Sequence, residues 1–83
     1  NEINTSIKLP LTVSIDSQNY KKILKLEETL DRIDLISDFY ILKFDNKHTQ
    51  YKIIYNGSPK TFFKDMSNRN FEITMKNNIW IIK

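Results

Sequence analysis

Few residues in this 83-residue chain have the types and spacing that chemistry requires. His48 is the only histidine, and it stands between Lys47 and Thr49 in a stretch that reads as a turn. A zinc centre needs three or four converging ligands, and none is spaced to join that imidazole. The carboxylates Asp31 and Asp34, or Asp38 and Asp45, follow the punctuation of secondary structure and not the pairing a general acid and base would need. Six serines lack a His–Asp or His–Glu constellation, and Ser58 is accounted for by helix capping. One glycine cannot build a phosphate-cradling loop, and cysteine is absent, so there is no thiolate, disulfide or Cys-based metal site. These residues point away from an enzyme and imply no cofactor and no metal.

Aromatic side chains are the remaining candidates. Phe39, Phe44, Tyr51 and Tyr55 fall on two adjacent predicted strands, where RNA-recognition modules stack bases. The third-strand signature of those modules begins with a basic residue and a glycine, whereas Thr49–Tyr55 reads Thr-Gln-Tyr-Lys-Ile-Ile-Tyr. The formal charge of +3 does not strengthen a nucleic-acid reading. The chain has 13 Ile, 11 Lys and 9 Asn but only two Arg and no Ala, a bias that A/T-rich codons produce without selection for phosphate binding. Nucleic-acid binding through the sheet therefore stands as an alternative. A second alternative is a small-ligand regulatory domain, although Ile15-Asp16-Ser17-Gln18-Asn19 lacks the glycine such domains use to approach a ligand.

The elements that position these residues follow from periodicity. Residues Asn1–Ser6 are polar and read as linker or disordered, and 7–83 read as one domain. Ile7, Leu9, Leu11, Val13 and Ile15 alternate with polar residues, which predicts a strand that is firm from Leu11 to Ile15. Tyr20, Ile23, Leu24, Leu26, Leu30 and Ile33 recur at intervals typical of a helical stripe, over about Ser17 to Asp31. A hairpin follows, with strands about Asp38–Phe44 and Thr49–Tyr55. Ser58 as N-cap and Pro59 at the first position predict a short helix to about Ser67, after a Gly57 free to take positive φ. Phe71, Ile73 and Met75 then alternate, and Asn77-Asn78 is suited to a type I′ turn into Ile79–Ile82.

This order predicts an α+β fold, a ferredoxin-like βαββαβ sandwich with an antiparallel sheet, two helices on one face and a C-terminal hairpin. An even hairpin loop would oppose Leu42 to Tyr51 and Tyr40 to Ile53. Tyr40, Leu42, Phe44, Tyr51, Ile53 and Tyr55 would then face the helices. The opposite face would hold Phe39, Ile41, Lys43, Gln50, Lys52 and Ile54 as an interaction surface, the alternative being an exposed strand edge that accepts a partner strand.

Ser17-x-x-Tyr20-x-x-Ile23-x-x-Leu26, the Tyr55-x-Gly57 ending, the Phe-rich short helix and Ile79-Trp80-Ile81 resemble the small ferredoxin-like repeats of bacterial envelope proteins of unknown function. The resemblance implies a periplasmic or otherwise extracytoplasmic domain that binds another protein or another domain of its own precursor. It transfers no functional residue. Asn1 in place of Met and the lack of an apolar leader read as a piece cut from a longer precursor, or as a mature or trimmed domain. No apolar run is long enough to insert this domain in a membrane.

Overall fold

A computed structural model describes residues 8–83, so the linker expected at residues 1–6, and Ile7, lie outside the described residues. The elements run β1 (Leu9–Asp16), α1 (Tyr20–Arg32), β2 (Ile36–Phe44), β3 (His48–Tyr55), α2 (Pro59–Asn68), β4 (Ile73–Lys76) and β5 (Ile79–Ile82). They form a small α+β domain whose mixed five-stranded sheet has the order β2-β3-β1-β5-β4. Leu11, Val13 and Ile15 from β1, and Tyr51, Ile53 and Tyr55 from β3, share one core with Leu26 and Leu30 of α1 and Phe62 and Met66 of α2. Both helices therefore cover the same sheet face.

The sheet departs from the wholly antiparallel ferredoxin-like order expected from the sequence. Strand β5 pairs parallel with β1 through Val13–Trp80 and Ile15–Ile82, and β4 lies outside it at the edge. The cause is in the side chains. Ile79-Trp80-Ile81-Ile82 is apolar on both faces, as an interior strand of a parallel pair should be. On β4, Thr74 and Lys76 are polar and Met75 is half exposed. Placing β5 inward buries more apolar surface than placing β4 there. The two must remain neighbours because Asn77 and Asn78, at φ 52° and 64°, form the expected two-residue turn. Pro10 is tolerated within β1 because β5 reaches only Val13–Ile15, leaving the Pro10 end beside β3 alone.

Local capping explains the helix ends. The first helix starts at Tyr20, later than periodicity indicates, since the Asn19 side chain accepts from the Lys22 amide at 3.2 Å. Ser17 is diverted to the β2–β3 turn. Its amide donates to the Lys47 carbonyl at 2.9 Å, and its hydroxyl donates to the Asp45 carbonyl at 2.7 Å. That hydroxyl's single proton is thereby used, so Thr49 Oγ1, 2.8 Å away, is the donor to it. Ser58 caps α2 through the Thr61 amide, with Pro59 following. At the other end Asn70 takes φ 69°, and the Phe71 amide reaches back to the Met66 carbonyl at 3.1 Å, a Schellman closure with both side chains in the core. Gly57 does not have the positive φ expected of it. A Cβ there would lie 2.8 Å from Tyr55 Cε2, so the glycine is required by close approach to a buried ring.

Candidate functional site

The geometry that matters lies on β2, the long edge of the sheet. Near the turn its register is the one an even loop dictates: Phe44 opposes Thr49 and Lys43 opposes Gln50, with the Asp45 amide donating to the His48 carbonyl at 3.0 Å. Beyond that the register shifts between Ile41 and Lys43, so Leu42 takes no partner. This β-bulge moves Ile41 opposite Tyr51, Tyr40 opposite Lys52 and Phe39 opposite Ile53. A second shift between Ile36 and Asp38 follows.

The bulge corrects the grouping of the six candidate surface residues. Lys43, Gln50, Lys52 and Ile54 lie on the helix-free face as expected. Phe39 and Ile41 do not, because one extra residue reverses the faces of the segment before it. Phe39 packs against the core with its ring 6.5 Å from that of Tyr51, while Ile41 is 53% exposed at the margin of the helix-covered side. Tyr40 takes the place on the bare face that sequence reasoning gave to its neighbours. The run Phe39-Tyr40-Ile41-Leu42 is apolar at every position, so alternation there offers no signal for the register.

Strand β3 behaves as its alternation indicates. Tyr51 and Tyr55 are 1% and 0% exposed. The Tyr51 hydroxyl donates to Glu27, and burial of the phenol, reinforced by that carboxylate, pushes its ionisation well above the ordinary tyrosine range. Burial also raises Tyr55, with Asp65 adding to it. Phe39 and Phe44 share this helix side. The four aromatics considered for base stacking are thus not on the bare face, where Tyr40 is the aromatic that β2 contributes.

Chemistry at titratable groups is sparse. His48 begins β3, exposed and opposite Asp16. The Asp45 carboxylate accepts from the amides of His48 and Lys47 at 2.8 and 2.9 Å, which lowers its pKa below the usual carboxylate value. Among the described residues, no three His, Cys, Asp or Glu side chains converge as a metal site would need. A shallow depression of about 230 Å³ on the bare face is lined by Ser14, Gln50, Ile79 and Ile81, among others.

The helix-covered side is incompletely covered at β2. A cavity of about 330 Å³ lies between Leu30 and Asp31 of α1 and the Ile36–Phe39 segment. Ile41 and Phe44 on that side are 53 and 70% exposed, and Tyr40 on the bare face and Leu42 at the bulge are 49 and 47% exposed. Among the described residues no helix is long and apolar enough to cross a membrane. No family model, curated protein or solved structure matches this chain.

Proposed function

We propose that this chain is a non-enzymatic protein-interaction domain of a larger bacterial envelope protein, and that it binds through the outer edge of β2, which no further strand among the described residues covers. The observation that carries this reading is the edge itself, nine residues long with four large apolar side chains left in solvent. Sheet edges are ordinarily kept short, charged or covered, because unpaired backbone groups recruit another strand. An edge that keeps its length and its apolar side chains, with its charges confined to Asp38 and Lys43 and a bulge at Leu42, fits strand addition at a selected partner, in which backbone hydrogen bonds supply affinity and side chains supply selectivity. The partner is another protein or another domain of the same precursor, and no cofactor is involved. The extracytoplasmic location rests on the sequence resemblance. A ferredoxin-like kinship is supported by the β2-β3-β1 portion, where β1 and β2 run the same way on either side of β3.

Site-specific photocrosslinking in the producing cell tests the reading. A crosslinking amino acid in place of Tyr40 should yield covalent protein adducts in the envelope fraction. The same group in place of Lys64, exposed on α2, should yield few. Equal yields at both positions, or adducts from Thr12 on the bare face but none from Tyr40, would overturn the β2 edge as the binding surface.

A further inference from the structure

The order of side chains along β2 is complementary to itself. Counted by the residues of β3 that they oppose, the paired positions of β2 are Ile36, Asp38, Phe39, Tyr40, Ile41, Lys43 and Phe44. Tyr40 is the middle one. Laying a second β2 antiparallel to the first about Tyr40 sets Phe39 beside Ile41, Asp38 beside Lys43 and Ile36 beside Phe44, each twice. Every such pair lies on one face of the sheet: Phe39, Ile41, Ile36 and Phe44 on the helix side, Asp38 and Lys43 on the bare side. The match depends on the bulge. Leu42 takes no paired position, so it is Lys43, and not an apolar residue, that meets the carboxylate.

We infer that the partner of the β2 edge is a second copy of this chain. Two copies would join strand to strand about a twofold axis at Tyr40, making one continuous sheet from two five-stranded ones. The inference rests on the reading of β2 as a protein-binding edge and names its occupant. Charge complementarity decides for a second copy over an unrelated strand, since the opposite charges sit at equal distances on either side of the axis. Apolar area follows the same symmetry. Tyr20 and Leu24 are 69 and 63% exposed on the flank of α1 that carries Glu27, whose carboxylate reaches Tyr51 behind β2.

Sedimentation of the purified chain from about 1 μM to about 1 mM tests the proposal. The wild type should pass from monomer to dimer. Asp38→Lys and Lys43→Asp each turn two attractive contacts into repulsive ones at exposed positions, and each should weaken association roughly tenfold. An equimolar mixture of the two variants should recover it as a heterodimer, because one chain then offers lysine at both positions and the other a carboxylate at both. Circular dichroism checks that each variant is folded. A wild type that stays monomeric throughout, or a mixture that associates no better than its components, would overturn the self-pairing. If adducts from Tyr40 in cells then contained a different protein, the β2 edge would stand as a binding surface while its occupant changed.

Discussion

Tyr51 shows how one buried side chain ties stability to pH. Its ring is fully enclosed and its hydroxyl donates to Glu27, so the folded protein holds the neutral phenol and resists the phenolate. A folded pKa raised above the ordinary value of 10.0 adds stability that is fully present below about pH 10 and is lost as pH rises toward the shifted value. Tyr51→Phe keeps the ring and removes the titration. At neutral pH it should cost about 1–3 kcal/mol, through the lost hydrogen bond and the partner left behind. At about pH 11 the gap between variant and wild type should narrow, because the wild type alone carries a Tyr51 that can ionise on unfolding. Urea unfolding at the two pH values measures this, and Tyr55, present in both proteins, cancels from the comparison. A gap of the same size at both values would show that burial does not govern the phenol's ionisation.

At the scale of the element, β2 and β3 show where sequence patterning holds and where it fails. Thr49, Tyr51, Ile53 and Tyr55 alternate with Gln50 and Lys52, and their burial follows that alternation. The Ser58-Pro59 start of α2 and the Asn77-Asn78 turn were equally legible, because the capping and positive-φ demands they meet are local. The face of Tyr40 was not legible, because a bulge is chosen by the sum of contacts on both faces and β2 is apolar on both. Ser17 was obscured for a related reason: its hydroxyl serves a turn 28 residues away instead of the helix beside it. The β5 position was partly visible in a strand apolar on both faces, a sign of an interior place that a standard topology overrode. The bulge makes a direct prediction. Leu42 has no opposing residue, so deleting it should leave every pairing of β2 with β3 in place and only straighten the strand. The variant should melt within about 1 kcal/mol of wild type, since an exposed unpaired residue carries little packing energy. A straighter apolar edge should also aggregate at lower protein concentration, as turbidity on warming would record. Loss of the fold on deletion would mean that Leu42 holds a position in the ladder.

For the molecule as a whole, the question is whether the C-terminal hairpin is an appendage or part of the cooperative unit. Its two strands contribute unequally. Met75 and Trp80 oppose each other, but Met75 is half exposed, whereas Trp80 lies against Phe62 and Phe63 with ring centroids at 5.8 and 6.0 Å. Through Phe62 the same cluster reaches Tyr55 on β3, at 5.3 Å, so the aromatic core spans the sheet from the hairpin to the central strands. A domain of this size has about 5–10 kcal/mol of stability to lose. Trp80→Ala should remove about 3–5 kcal/mol of it, and Met75→Ala about 1 kcal/mol or less. Hydrogen exchange separates the two architectures. In a cooperative unit, Trp80→Ala lowers the protection of the Val13 and Tyr51 amides by the same free energy that it removes from global unfolding. With an appended flap those amides would keep their wild-type protection while only β4 and β5 exchanged faster. The parallel pairing of β5 with β1 makes the first outcome the expected one, because separating the hairpin strips a ladder from a strand at the centre of the sheet.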